Sequence, residues 1–114
     1  WEVTFTIKKL NHITLPVSDL KRATAFYEDV LGLKKTGEWP TYVEFDVGGV
    51  DIGLELGGNL EIFLLVDDVD KAYEKLKKKG VKFVAEPKDE HWGGRTTTLV
   101  DPDGNKFTLV HFKK

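Results

Sequence analysis

The chain carries one pattern twice. His12-Ile13-Thr14-Leu15-Pro16-Val17-Ser18-Asp19-Leu20 alternates like a strand and runs directly into an amphipathic helix. Glu61-Ile62-Phe63-Leu64-Leu65-Val66-Asp67-Asp68-Val69 repeats that arrangement 49 positions later. Two copies of a strand-then-helix unit restrict the fold to a pair of like modules, with a cavity between them as the natural place for function. The copies open on His12 and Glu61, and both residue types ligate metal ions.

The rest of the chain completes each copy. Trp1, Val3, Phe5 and Ile7 alternate with Glu2, Thr4 and Thr6, which predicts an extra N-terminal strand within residues 1–9. Its apolar face either extends the chain's own sheet or joins a dimer interface. Lys8-Lys9 is expected to break it before a strand from Leu10 to Val17. Ser18 is the expected helix cap. Leu20, Ala23, Phe26, Tyr27, Val30 and Leu31 then fall at helical spacing, and Gly32 ends the helix. Tyr42 to Val47 and Val50 to Leu56 form a hairpin about Gly48-Gly49. Gly57-Gly58 is too short for a domain linker.

In the second copy, Leu60 to Val66 is a strand and Asp67 or Asp68 caps a helix with Val69, Ala72, Tyr73 and Leu76 on its apolar face. Lys77-Lys78-Lys79-Gly80 stops that helix. A short strand from Val81 to Val84 follows, then a polar loop from Pro87 to Gly94 holding His91 and Trp92. Arg95 to Val100 and Lys106 to Phe112 close the chain as a hairpin around Asp101-Pro102-Asp103-Gly104-Asn105. Each half therefore reads βαβββ, residues 10–57 and 58–112, within one domain.

Composition narrows the function classes. At 114 residues and 40% hydrophobic, with 7 Phe, 3 Tyr and 3 Trp, the chain can bury an ordinary core. A net charge of −2 provides no footprint for nucleic acid. No apolar run reaches membrane-spanning length and no signal peptide is visible, so no membrane partner is expected and the cytoplasm is the default location. Without cysteine there is no disulfide frame and no thiol chemistry. Met and Gln are absent and Lys and Glu abundant, as in a thermostable, consensus or designed sequence.

The motifs H-I-T-L-P-V-S-D-L, A-F-Y-E-D-V-L-G-L and D-P-D-G-N-K-F-T-L-V, in that order across paired βαβββ units, resemble the vicinal oxygen chelate superfamily. That group includes glyoxalase I, fosfomycin- and bleomycin-resistance proteins, methylmalonyl-CoA epimerase and extradiol dioxygenases. The resemblance implies an α+β fold: two βαβββ modules forming an incomplete barrel-like cleft, here with the extra N-terminal strand. It also implies a homodimer, a small-molecule ligand and a divalent metal (Zn, Ni, Mn or Fe). His12 stands where the family's first-strand histidine is expected. Glu55 matches a carboxylate of glyoxalase-like members, Glu61 takes the place of a second histidine, and Thr108 replaces a glutamate.

Strand alternation bears on the same positions independently. Ile13, Leu15 and Val17 suit packing beneath a helix, leaving His12, Thr14 and Pro16 on the opposite face. Ile62, Leu64 and Val66 oppose Glu61, Phe63 and Leu65 in the same way. Asp51, Gly53 and Glu55 share one face, and His111 has the opposite parity to Thr108. Alternation lets His12, Glu55, Glu61 and Thr108 all line the concave side, and the resemblance implies His12, Glu55 and Glu61 as metal ligands, with Glu55 or Glu61 as the alternative proton-transfer base. Thr108, Tyr42, Trp92 and Arg95, with Trp39, are the expected substrate contacts. Two functional classes follow. One is a divalent-metal-dependent lyase, isomerase or dioxygenase-type enzyme. The other is a metal-free, bleomycin-resistance-like dimer that sequesters a small ligand, and a designed or ancestral-type scaffold without evolved activity is a third possibility.

Overall fold

Alternating side chains and two glycine turns are enough to build the first half. In the computed structural model, which describes residues 4–112, Asn11–Ile62 forms one compact unit. Strand β1 (Ile7–Val17) leads to helix α1 (Leu20–Ala25), which widens into a π-helical turn over Phe26–Val30. Strands β2 (Lys34–Trp39), β3 (Tyr42–Val47) and β4 (Val50–Leu56) follow. The strand order is β2-β3-β4-β1, with β1 parallel to β4 and the other pairs antiparallel. Val43, Phe45 and Leu54 are fully buried, and Leu15, Val17, Leu20, Ala23, Tyr27, Leu33 and Ile52 pack around them. Gly48 and Gly49 both take positive φ, 61° and 90°, as a tight primed hairpin turn requires.

Local chemistry departs from expectation at three places in this half. Asp19, not Ser18, caps α1: its carboxylate accepts from the Arg22 N–H at 3.0 Å. Lys8-Lys9 does not break β1, which runs from Ile7 through both exposed lysines. Of the predicted N-terminal strand, residues 1–3 lie outside the described residues and Thr4–Thr6 are not in a strand. Strand β2 has no apolar alternation to announce it. It is a lysine-bearing edge strand with a bulge between Lys35 and Gly37.

The second unit comprises the segment up to Leu10 and the chain from Phe63 onward. It repeats the plan: β5 (Glu61–Val66), α2 (Val69–Lys78), β6 (Lys82–Asp89), β7 (Gly94–Val100) and β8 (Lys106–Phe112), in the order β5-β8-β7-β6. Strand β5 is parallel to β8, as β1 is to β4. Val66, Val69, Ala72 and Leu109 form its core, with Phe5, Leu64, Leu76 and Leu99 against them. Phe5 is held there by the adjacent Thr6, whose N–H donates to the Asp67 carboxylate at 2.9 Å while the Asp67 N–H returns to the Thr6 carbonyl at 3.2 Å.

Asp68 caps α2 by accepting from the Lys71 N–H at 3.0 Å, and Lys75, Lys77 and Lys78 occupy its last turn. Strand β6 is longer than Val81 to Val84. Two register shifts carry it past Pro87, a residue tolerated only at an edge or a bulge. The chain is an α+β protein made of two like units, and among the described residues no helix is long and apolar enough to cross a membrane.

Candidate metal centre

The face of the first unit opposite its core gathers polar side chains from three strands. The parallel register sets His12 beside Asp51 and Thr14 beside Gly53, and the antiparallel register sets Gly53 beside Glu44. His12, Glu44 and Asp51 each bring a ligand atom within 4.8 Å of the other two, and all three are half-buried. Three donors bonded to one first-row ion at about 2.1 Å lie no more than about 4.2 Å apart, so small carboxylate rotations suffice to close the set. One imidazole and two carboxylates suit Mn²⁺, Fe²⁺, Ni²⁺ or Zn²⁺. The residues present therefore fit a divalent ion.

Tyr42 ties this group together. Its hydroxyl donates to Glu44 Oε2 at 3.0 Å and lies 3.2 Å from His12 Nε2. Because that proton goes to Glu44, the phenol oxygen faces His12 as an acceptor. The His12 and Tyr42 rings are near-parallel, with centroids 6.4 Å apart, and Trp39 lies 5.8 Å beyond Tyr42. Thr14, only 4% exposed, places its hydroxyl 2.7 Å from His12 Nε2. Burial lowers the His12 pKa below the usual histidine value, outweighing the opposite pull of Glu44 and Asp51. Burial also raises the Tyr42 pKa, and the neighbouring carboxylates Glu44, Asp51 and Glu55 add to it. At neutral pH the site thus holds a neutral imidazole and a neutral phenol beside two carboxylates.

The residues singled out from sequence fall in different places. His12 and Tyr42 come together. Glu55 shares the face of β4 but sits about 13 Å along the strand from Asp51, at ordinary strand rise. It stands opposite Pro16 and Tyr42 in register, with its carboxylate folded over Gly58. Glu61 opens β5 as an exposed residue outside the His12–Glu44–Asp51 group. The remaining candidates belong to the second unit. Thr108 Oγ1 pairs with Thr98 Oγ1 at 3.0 Å, and Trp92 lies over Gly94 with Phe112 at 6.0 Å. The Arg95 guanidinium is bound by Asp70 at 2.7 and 2.9 Å and by Asp89 at 3.0 Å, so its charge ties α2 to β6 and β7. His111 lies on the helix side, as its parity requires, and accepts the Val69 N–H at 2.7 Å.

Glu44 and Asp51 were not singled out. Their signal was present, since Glu44 alternates with buried Val43 and Phe45, and Asp51 shares a face with Glu55. What was missing was the pairing of β1 with β4, which alone puts His12 next to Asp51.

The sequence model of the Glyoxalase/Bleomycin resistance protein/Dioxygenase superfamily matches residues 9–109. The chain is 28% identical to metallothiol transferase FosB of Lysinibacillus sphaericus, over 90% of this chain and 81% of that protein. It is 30% identical to lactoylglutathione lyase of Salmonella typhimurium, over 92% of this chain and 93% of that protein. The Mn(II)-bound glyoxalase of Novosphingobium aromaticivorans shares the fold with a TM-score of 0.74 at 24% identity, covering 94% of this chain and 40% of that one.

Proposed function

Because the chain belongs to the Glyoxalase/Bleomycin resistance protein/Dioxygenase superfamily, we propose that it is a divalent-metal-dependent enzyme acting on a small substrate with two neighbouring oxygens. The observation that carries this reading is the convergence of His12, Glu44 and Asp51 on one half-buried face. Relatives support it: two are a transferase and a lyase by name, and a structural neighbour holds Mn(II). When bound, such an ion supplies Lewis acidity toward substrate oxygens.

The chain's own residues do the rest. His12 is kept unprotonated by burial and so is ready to ligate at neutral pH. Thr14 fixes its ring orientation through Nε2. Glu44 and Asp51 balance the charge of a divalent ion. Glu55 shares the Asp51 face of β4 but lies about 13 Å along the strand with its carboxylate over Gly58, too far to take a proton from a substrate held at this group.

Titration of chelator-treated protein with Mn(II), followed by electron paramagnetic resonance, tests this assignment. Wild type is expected to bind, and His12→Ala, Glu44→Gln and Asp51→Asn to weaken binding by about tenfold or more. Glu55→Gln and Glu61→Gln are expected to leave it within about twofold, since neither side chain belongs to the group. The reverse pattern would move the ion to His12, Glu55 and Glu61, and no binding by wild type would sink the metal reading. A metal-free ligand-binding protein is the second reading, favoured by the neutral Thr98–Thr108 hydroxyl pair. It requires ligand-dependent thermal stabilisation that survives chelator.

A further inference from the structure

Gly53 lies on the polar face where His12, Thr14, Glu44 and Asp51 meet in register. Its backbone does not demand glycine, because Gly53 is absent from the positive-φ glycines. Space does. A Cβ built on Gly53 would run into the Tyr42 hydroxyl and ring carbons, with Cε1 and Cζ at 2.6 Å. The Tyr42 ring therefore lies flat across bare backbone, and from that seat its oxygen reaches both Glu44 and His12.

We propose that Tyr42 is a positioning residue for the metal centre: seated on Gly53, its phenol holds the Glu44 carboxylate and the His12 imidazole toward each other without being a ligand itself. The inference rests on the metal reading above. It extends that reading to a contact which neither strand pairing nor the ligand set requires. A glutamate side chain loses rotamer freedom when it is fixed. The Tyr42 hydrogen bond fixes Glu44 before any ion arrives, so less of that loss falls on binding. Hydroxyls and carboxylates that orient metal ligands typically change affinity by about 10–100-fold when removed.

Two variants separate the hydroxyl from its seat. Tyr42→Phe keeps the ring and removes the oxygen. Gly53→Ala keeps the oxygen and displaces the ring. Each is expected to weaken Mn(II) binding by about 10–100-fold, with thermal unfolding confirming that both remain folded. The double variant is expected to be no weaker than the weaker single one, because both act through the same contact. If wild type and both variants bind Mn(II) alike while Glu44→Gln does not, the positioning role of Tyr42 is overturned and the metal site stands. Fully additive losses in the double variant would also overturn it, since seat and hydroxyl would then act separately. If wild type itself binds no Mn(II), the metal reading fails and this inference falls with it.

Discussion

At His12 and Tyr42 burial acts in opposite directions on two titrations, and each has a measurable consequence. Burial lowers the His12 pKa from the ordinary 6.5. In the window between its folded value and 6.5 the unfolded chain binds more protons than the folded one, so stability rises with pH across that window. The cost is fully present below the window and absent above it. Denaturant unfolding from about pH 5 to about pH 7 is expected to show this slope in wild type and a flatter one in His12→Asn. Tyr42 behaves in the alkaline range. Its pKa is raised mainly by burial, so its contribution is intact below about pH 10 and is lost as pH climbs beyond it. Tyr42→Phe is expected to remove that alkaline loss, and an unchanged slope would show that the phenol is more hydrated than its surroundings indicate.

Among the elements, α2 has the better-defined start. Asp68 accepts the Lys71 N–H at 3.0 Å, and His111 accepts the Val69 N–H at 2.7 Å. Two of the helix's otherwise unpaired donors are thus satisfied from different parts of the chain. Asp68→Ala is expected to cost about 1 kcal/mol, the usual worth of an N-cap carboxylate. His111→Ala is expected to cost a similar amount, about 1 kcal/mol, by leaving the Val69 donor unpaired. Both are read from the urea midpoint, and a neutral His111→Ala would mean that water replaces the ring. In α1 the end is the informative part. The helix widens so that the Leu31 N–H bonds the Phe26 carbonyl at 3.0 Å, and Gly32 then turns away with φ of 72°. Gly32 marked that stop in the sequence. The wider π-helical turn left no mark, because periodicity over so few residues does not separate the two windings.

For the molecule as a whole, each repeated half has its own buried cluster. Phe45 is fully buried in the first, and Phe45→Ala is expected to cost about 3–5 kcal/mol. Mn(II) at a hundred times its dissociation constant is expected to stabilise the chain by about 2.7 kcal/mol, seen as a rise in Tm that His12→Ala abolishes. The duplication, the hairpin at Gly48-Gly49, the stop at Gly80 and the α+β class are legible in the sequence, because alternation, helical spacing and glycine turns are local properties of the chain. The edge strand β2 is much less so, since its Lys-Lys-Thr-Gly-Glu-Trp run carries no apolar alternation, and of β6 only the part about Phe83, which packs on Tyr73 of α2, announces itself. His12 stands out in the sequence because it opens a repeat. Glu44 and Asp51 become its partners only when β1 lies parallel to β4 and β3 turns back against it. Sequence alone determined which side chains share a face of each strand, because the period of two is built into the backbone. Tertiary structure decided which strands lie side by side and in what register, because that choice is made by burial of the opposite, apolar face.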